Sequence, residues 1–424
     1  MNSYLPRIVD RDLDELMSWL PAISLEGPRG VGKTATAQRR AKVTFALDDP
    51  RTLELILADP DQVDRSPSPT LVDEWQRYPP MWDRVRRSVD RDPSGGRFLL
   101  TGSASPVYPP THSGAGRIVR VRMRPMSLAE RGLQEPTVSL AELLTGSRNR
   151  IDGRTDVDLT AYTDEILCSG FPAIRDRPPR TRRIQLEGYL DRIVEHDFPD
   201  QGHVVRQPEA LRAWLAAYAA ATSTTASYNA ILDAATPGES SKPAKSTTLG
   251  YRDILSQIWL LDSVPGWHPS RNLFVRLAQA PKHHLADPAL AARLLHASET
   301  SLLTGHDSGP PVPRDGTLLG ALFESLVALS LRTYAQTNDA KVHHLRTFNG
   351  RHDIDFIVQR DDHKVVALEV KLASSAGDED VVHLRWLRDQ LGDDLLDAAV
   401  ITTGPYAYRR QDGIAVIPAA LLGP

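Results

Sequence analysis

The chain has 424 residues, which is too long for one ordinary domain and predicts roughly two to four domains. Its formal net charge of −4 excludes a strong whole-molecule attraction to nucleic acid, so any such binding must come from local patches. The single cysteine, Cys168, excludes an internal disulfide framework and predicts a cytoplasmic protein. No apolar run of transmembrane length is found, so no membrane partner is predicted.

The first part of the chain alternates strand and helix patterns. AISLE is typical of a strand, GPRGVGKT is a glycine loop, and TATAQRRA is typical of the helix that follows. Two later apolar runs, LVDE and FLLTGSAS, end in polar residues. Strands that alternate with helices predict a parallel sheet flanked by helices, and we place this unit at residues 1–140.

The glycine loop fits the phosphate-loop pattern G-x-x-x-x-G-K-[ST]. In this pattern backbone N–H groups close around phosphates, the lysine reaches the β- and γ-phosphates, and the hydroxyl coordinates Mg²⁺. The alternative is a glycine turn with an exposed lysine, against which the preceding strand argues. The pattern predicts ATP and Mg²⁺ as ligands. The predicted binding residues are Gly27, Pro28, Arg29, Gly30, Val31, Gly32, Lys33 and Thr34.

The polar ends of the next two runs complete the predicted nucleotide site. Asp73 would hold Mg²⁺ together with Thr34, and Glu74 would polarise the attacking water. The alternative is a strand that ends in a solvated acidic turn. Thr101 or Ser103 would sense the γ-phosphate by a hydrogen bond, unless they only form a strand-end turn.

The segment GRIVRVRMRP follows and is rich in arginine. Its alternation predicts a strand, on which Arg120, Arg122 and Arg124 mostly form a solvated face. We expect Arg117 to act as an arginine finger, which supplies positive charge to the transition state, often from a neighbouring subunit.

The middle of the chain is predicted to be helical. Residues 141–205 are predicted to form a connecting region, and residues 206–265 show three helical patterns and a short strand, the outline of a winged helix. Thr247 or Thr248 should cap the last of these helices. The alternative to nucleic-acid contact is a protein-contact or spacer role. The basic residues that would contact nucleic acid are Lys242, Lys245 and Arg252.

The last predicted unit, residues 266–424, contains the stretch DIDFIVQRDDHKVVALEVK, which is typical of two strands joined by a polar turn. Because side chains alternate along a strand, Glu369 and Lys371 share one face of the second strand. If the strands pair, Asp355 and Glu369 can hold one divalent ion. Lys371 beside them can position water or the scissile phosphate.

This is the D…(D/E)-x-K arrangement of metal-dependent nucleases, in which a cation stabilises charge during phosphodiester hydrolysis. Oxygen ligands favour Mg²⁺ or Mn²⁺, and Glu324 on a preceding helix would add a further acid. The alternative is a retained fold with a salt-bridged, inactive site. A zinc site is not expected, because no cysteine or spaced histidine pair completes a tetrahedron.

These motifs together resemble the bacterial and archaeal AAA+-superfamily ATPases whose C-terminal half is a domain of unknown function with a restriction-endonuclease-like fold. The resemblance covers nearly the whole chain. It implies an α/β protein with a P-loop AAA+ parallel sheet, helical and winged-helix segments, and a restriction-endonuclease-like α/β domain. Ser169 departs from the pattern, because such proteins usually have glycine there. The motifs are RIVDRDLDELM, GPRGVGKT, LVDEWQRYP, FLLTGSAS, GRIVRVRMRPMSLAE, SGFPA, KHHLADPALAARLL, LFESLV and DIDFIV…ALEVKLASS.

Two functions of different classes are compatible with the sequence. In the first, ATP hydrolysis drives a nuclease-like C-terminal domain that is directed at nucleic acid, with DNA as the partner. In the second, the nucleotide is a switch for protein interaction and the nuclease fold is inactive. Glu74 favours hydrolysis in the N-terminal part. The choice at the C-terminus stays open, as does the choice between a homo-oligomer and a protein partner.

Overall fold

The computed structural model describes residues 4–103, 114–202, 207–236, 245–267, 279–304, 316–347 and 350–424. Within these ranges the chain forms a parallel sheet, a helical middle region and a mixed sheet. Lys242 lies outside the described residues, as do the side chains of Lys245 and Thr247.

The N-terminal sheet is parallel throughout, with the order β2-β3-β4-β1-β5, which confirms the predicted architecture of this unit. Its strands are β1 (Ala22–Glu26), β2 (Val43–Ala46), β3 (Thr70–Asp73), β4 (Phe98–Gly102) and β5 (Ile118–Arg122). The helices beside it are α1 (Ile8–Leu16), α2 (Lys33–Gln38), α3 (Pro50–Ala58), α4 (Gln62–Arg65) and α5 (Pro80–Arg91).

The strand order decides where the N-terminal site lies. Every residue of β1, β3 and β4 is buried, as expected for parallel strands that are covered on both faces. Because the carboxyl ends of parallel strands meet at one edge, the glycine loop after β1 faces the ends of β4 and β3.

The middle region is built from helices. They are α6 (Leu140–Thr145), α7 (Leu159–Cys168), α8 (Pro172–Arg175), α9 (Pro179–Arg192), α10 (Phe198–Asp200), α11 (Pro208–Ala220), α12 (Tyr228–Ala235), α13 (Lys245–Gln257), α14 (Pro288–Leu294) and α15 (Glu299–Leu303). Helices α11 to α13 lie where the winged helix is predicted, and that assignment stays a prediction. Because α13 begins at Lys245, Thr247 and Thr248 lie inside the helix, and the prediction that one of them caps it is wrong.

The C-terminal sheet has eight strands in the order β7-β13-β14-β12-β11-β10-β9-β8. The strands of this part are β6 (Val138–Ser139), β7 (Gly153–Arg154), β8 (Gly266–Trp267), β9 (Lys341–Arg346), β10 (Asp353–Gln359), β11 (Val365–Val370), β12 (Leu395–Thr402), β13 (Tyr406–Arg409), β14 (Ala415–Pro418) and β15 (Leu422–Gly423). Helix α16 (Gly316–Gln336) precedes β9, and α17 (Val382–Leu391) lies between β11 and β12.

Two short strands from outside the predicted C-terminal unit pair with its strands. Strand β7 pairs with β13, and β6 pairs with β15. Helix α6 packs on β11 and β12. Residues 138–154 therefore lie with the C-terminal strands, although the predicted boundaries divide them between the first unit and the connecting region.

Helix α16 is long and apolar enough, over Thr317–Gln336, to cross a membrane by length and composition. The expectation that the chain has no run of that kind is wrong by this criterion. Because 67% of its most apolar window is buried, the helix packs in the manner of a central core helix.

The buried carboxylate of Asp262 joins three parts of the chain. Asp262 follows α13 and is 5% exposed. Its oxygens lie 3.1 Å from Arg122 at the end of β5, 2.8 Å from Arg124, and 2.7 Å from Arg332 on α16. Burial acts to raise the pKa of Asp262, but the arginines outweigh it and hold the pKa below its usual value. The expectation that Arg122 and Arg124 are solvated is wrong, because their side chains are 22% and 9% exposed.

We expect Asp262→Asn to lower the free energy of unfolding by about 3–5 kcal/mol, because buried guanidinium groups then lack a counter-charge. Urea unfolding followed by tryptophan fluorescence measures the loss. The control is Asp253→Asn, which removes a carboxylate that is 60% exposed and paired with Arg252. Asp253→Asn should lower the free energy of unfolding by less than about 0.5 kcal/mol. Equal losses in both variants would contradict the prediction.

Candidate nucleotide site and C-terminal acidic pocket

The glycine loop between β1 and α2 packs tightly against the chain that leaves β5. Gly32, just before α2, has a φ of 101°, a conformation that a residue with a Cβ rarely adopts. A Cβ at Gly27 would lie 2.0 Å from the carbonyl oxygen of Met123. The loop therefore depends on glycine both for its curvature and for its contact with residue 123.

Lys33, the first residue of α2, is folded into the loop and is 5% exposed. Its Nζ donates to the carbonyl oxygens of Gly27 and Pro28, each at 2.8 Å. Burial lowers the pKa of Lys33 to about 8, although Glu74 and Asp73 act to raise it. An ammonium whose hydrogen-bond partners are neutral carbonyls lacks a counter-charge within the loop.

Asp73 lies at the end of β3 and accepts hydrogen bonds from two hydroxyl groups. Thr34 Oγ1 lies 2.9 Å from Asp73 Oδ1, and Thr101 Oγ1 donates to the same oxygen. Thr34 and Asp73, the two predicted Mg²⁺ ligands, are thus side by side. A hydroxyl and a carboxylate are the oxygen donors that Mg²⁺ prefers, so this pair fits the ion chemically.

Glu74 occupies a strained turn directly after Asp73. Its φ of 53° is uncommon for a residue with a side chain. Its carboxylate accepts a hydrogen bond from Ser103 Oγ at 3.0 Å and another from Gln76. Thr101 and Ser103, predicted as phosphate sensors, therefore hydrogen-bond the two carboxylates in this conformation. Gln76 carries no pattern that could have marked it in the sequence.

Arg117 does not join these residues. Its Nε lies 2.8 Å from Asp90 on α5, and its side chain is 46% exposed. Of its neighbours, Arg120 pairs with Glu26 at 3.4 Å and is 58% exposed. A role for Arg117 as an arginine finger stays a prediction, and this geometry is compatible with action on a neighbouring subunit.

Two aromatic residues from the helical region form a second wall of the loop. Phe171 and Tyr189 lie with their ring centroids 5.0 Å apart. The Tyr189 hydroxyl donates to the Arg29 carbonyl at 3.3 Å, and a Cβ at Gly30 would lie 3.7 Å from the Phe171 ring. Phe171 belongs to the motif SGFPA, but the position of both aromatic residues beside the loop is not evident from the sequence, because they lie far from the loop in the chain.

The residues just before Phe171 are anchored on Asp287. Ser169 Oγ and Gly170 N donate to Asp287 Oδ2 at 3.0 and 2.6 Å. Ser169 has a φ of 73°, where glycine is favoured, and its hydrogen bond with Asp287 compensates for the strain. Asp287 also caps α14 through Ala289 N.

The C-terminal acids meet around a lysine. Lys282 Nζ lies 2.9 Å from Glu324 Oε1 on α16 and 2.8 Å from Asp355 Oδ1 on β10. Lys371 Nζ lies 3.0 Å from Glu369 Oε1 on β11. We call the group formed by these five residues the acidic pocket. Lys282 begins the motif KHHLADPALAARLL, but its role here is not evident from the sequence, because 42 and 73 positions separate it from its two partners.

Burial and the neighbouring carboxylate of Asp355 raise the pKa of both Glu324 and Glu369 to about 8. Burial acts to lower the pKa of Lys282, but Asp355 and Glu324 raise it above its usual value. Glu369 is 6% exposed, and its Oε2 is buried without a hydrogen-bond partner. The carboxyl groups of Glu324 and Glu369 therefore favour their neutral forms at about pH 7, and a further cation beside them would favour the ionised forms.

Across the described ranges, no group of three or more His, Cys, Asp or Glu side chains is arranged to hold a metal ion. In the acidic pocket the ammonium of Lys282 joins Glu324 to Asp355. This differs from the predicted cluster of Glu324, Asp355 and Glu369. The carboxylates suit Mg²⁺ or Mn²⁺ by their donor chemistry, but the geometry is that of an ammonium-bound cluster.

Three family models match separate parts of the chain. Residues 20–131 match the model described as AAA domain. Residues 159–301 match a domain of unknown function, DUF8612, and residues 319–422 match another, DUF4143. The first match agrees with the glycine loop, the parallel sheet and the acidic end of β3. Residues 20–131 are therefore similar to an AAA domain and contain the phosphate-loop pattern.

Two mycobacterial proteins are similar over most of their length. Uncharacterized protein Mb2031c of Mycobacterium bovis and uncharacterized protein Rv2008c of Mycobacterium tuberculosis are each 25% identical over 411 residues. Each match covers 94% of this chain and 80% of the relative.

Similarity to solved structures is weak. The Walker-type ATPase PABY2304 of Pyrococcus abyssi is 15% identical, with a TM-score of 0.37, over 67% of this chain and 94% of that chain. The ORC2 protein of Aeropyrum pernix is 14% identical, with a TM-score of 0.30, over 70% of this chain and 95% of that chain. With TM-scores this low, neither similarity supports a conclusion about fold or function.

We expect ATP binding to take up protons above about pH 8. The pKa of Lys33 is about 8 in the free loop. Nearby phosphates favour the charged lysine and raise this pKa, so the complex holds a proton that the free protein has lost. Calorimetry in buffers of different ionisation enthalpy should show little uptake near about pH 7 and rising uptake towards about pH 9. A flat profile would contradict the prediction.

Proposed function

We propose that this protein hydrolyses ATP with Mg²⁺ at the glycine loop, and that Glu74 polarises the attacking water. The observation that carries the proposal is the 2.9 Å contact between Thr34 Oγ1 and Asp73 Oδ1, beside the buried ammonium of Lys33. Bound Mg²⁺ would supply charge neutralisation at the β- and γ-phosphates. Lys33 needs only to exchange the carbonyls of the loop for phosphate oxygens.

Strand β4 positions the two carboxylates for this chemistry. Thr101 donates to Asp73, and Ser103 donates to Glu74 at 3.0 Å. Because β4 lies between β1 and β3, one strand orients the ion-binding and the water-polarising group together. Both threonine and serine are therefore positioning residues in the proposed reaction.

We expect Lys33→Ala to abolish binding of a fluorescent ATP analogue, because the ammonium that meets the phosphates is removed. Glu74→Gln should keep binding and lower kcat at least about 100-fold, because only water activation is lost. Glu54→Gln, which changes an exposed carboxylate on α3, is the matched control and should leave both unchanged. Full turnover by Glu74→Gln would refute the assignment of the base.

We also propose that the C-terminal part is a restriction-endonuclease-like domain directed at DNA and coupled to the ATPase. Helix α16, the antiparallel strands β9 to β11, helix α17 and the parallel strand β12 follow the order expected of that fold. The specific support is the acidic pocket, in which a helix and two adjacent strands contribute acids. In the alternative, the nucleotide switches protein contacts and the nuclease fold is inactive.

We expect wild-type protein, saturated with a non-hydrolysable ATP analogue, to bind one more Mn²⁺ than Asp355→Ala, because that variant removes a ligand. DNA cleavage should vanish in Lys371→Ala while this Mn²⁺ stays bound, since the lysine is not a ligand. Asp361→Ala, in the exposed turn after β10, is the matched control.

Electron paramagnetic resonance counts the bound Mn²⁺ in that experiment. ATP turnover should rise when DNA is added. Indifference to DNA, together with Mn²⁺ binding but no cleavage, would favour the switch.

A further inference from the structure

We propose that Lys282 is the resident cation of the acidic pocket, that nucleotide binding at the glycine loop withdraws it, and that a divalent cation then takes its place. This inference rests on the proposed nucleotide and metal functions, and it concerns how the two sites regulate each other. It follows from the position of Lys282 in the backbone, from two connections between that backbone and the loop, and from the charges in the pocket.

Lys282 lies on a short two-stranded ladder made by residues 260–264 and 282–286. Its backbone exchanges two hydrogen bonds of 2.9 Å with Val264. Asp262 N donates to the carbonyl of His284 at 2.9 Å, and Ala286 N donates to Leu260 at 2.8 Å. Four hydrogen bonds therefore hold the backbone of Lys282 in the ladder, so a shift of the ladder moves the base of this side chain.

The first connection runs through Asp262. Its carboxylate is paired with Arg122 and Arg124, which flank Met123 in the chain. The Met123 carbonyl is the group against which Gly27 packs. A shift of the loop at Gly27 would therefore move Met123, whose neighbours Arg122 and Arg124 are ion-paired with Asp262 in the ladder.

The second connection reaches the other end of the ladder. Phe171 lies beside Tyr189, whose hydroxyl donates to the Arg29 carbonyl in the loop. The preceding Ser169 and Gly170 hydrogen-bond Asp287. Asp287 directly follows the strand that carries Lys282. The loop is thus connected indirectly to both strands of the ladder, to the first through Asp262 and to the second through Asp287.

The charges show which ligand would replace Lys282. Three carboxylates, those of Glu324, Asp355 and Glu369, surround two ammonium groups, which leaves one negative charge in excess when all are ionised. Replacing one ammonium by a divalent ion removes the excess. Glu369 Oε2, buried without a partner, gives such an ion an oxygen that Lys282 leaves unused. Hard oxygen donors select Mg²⁺ or Mn²⁺.

Counting Mn²⁺ bound by the full-length protein tests the inference, with Asp355→Ala defining the ions bound outside the pocket. Without nucleotide, wild-type protein should bind no pocket Mn²⁺, and Lys282→Gln should bind one. With the ATP analogue, the wild type should gain that ion, with an affinity at least about tenfold tighter than without nucleotide. Lys282→Arg, which keeps the charge, should behave like the wild type. Lys341→Gln, which changes an exposed lysine on β9, is the matched control.

Phe171→Leu tests the coupling separately. Measured at an ATP-analogue concentration that saturates the variant, it should lose most of the nucleotide-dependent gain in Mn²⁺ affinity. An unchanged gain would overturn the proposed route through Phe171.

The failures can be told apart. If the analogue does not bind, the proposed nucleotide function fails, while Lys282→Gln still tests the lysine as the resident cation. If neither the wild type nor Lys282→Gln binds a pocket Mn²⁺, the proposed metal function fails and this inference fails with it. If the pocket binds Mn²⁺ equally with and without Lys282 and the nucleotide, the inference alone is overturned.

Discussion

The structure depends on one buried carboxylate. Asp262 is surrounded by guanidinium groups from the end of the N-terminal sheet and from the central helix of the C-terminal domain. Each of these charges is costly to bury alone, and each is stabilised only while the others stay in place. Three parts of the chain are therefore fixed relative to one another by electrostatics as well as by apolar packing. A change at any of the three must alter the balance at Asp262.

The same carboxylate lies on a chain of contacts between the nucleotide loop and the acidic pocket. The loop packs on the carbonyl of Met123, and the arginines on either side of that residue pair with Asp262. Asp262 in turn belongs to the ladder that carries Lys282. Contiguity alone does not establish energetic coupling, which requires an element with two arrangements that both sites bias. The ladder is suited to be that element. It carries Lys282, and the carboxylates of the acidic pocket accept either this ammonium or a metal ion.

Features that depend on local sequence patterns could be predicted, and contacts between residues remote in the sequence could not. The glycine loop, the parallel strands and the meeting of Thr34 with Asp73 depend on local patterns and on the geometry of parallel strand ends. Arg122 and Arg124 were misjudged, because alternation on a strand marks two faces without telling which one meets water. The contacts of Lys282, Phe171 and Tyr189 were missed because their partners are remote in sequence.

The pairing of β7 with β13 could not be predicted either, because a strand of two residues shows no periodicity. Period-two spacing indicated Asp355 and Glu369 on their strands, and Glu324 was expected as a further acid on the preceding helix. Lys282 begins the motif KHHLADPALAARLL, but nothing in that motif indicates that its side chain meets these acids.

Lys33 and Lys282 show how environment gives one residue type opposite roles. Both are buried, and burial acts to lower the pKa of each. At Lys33, burial outweighs the effect of Glu74 and Asp73, so its pKa stays depressed, and its hydrogen-bond partners in the loop are neutral carbonyls that an incoming phosphate can replace. Lys282 is paired with two carboxylates, which raise its pKa and hold it in place until something else satisfies them. A phosphate at Lys33 and a divalent cation at the acidic pocket would each remove a charge imbalance. The contacts between the two lysines are the proposed route that connects these two binding events.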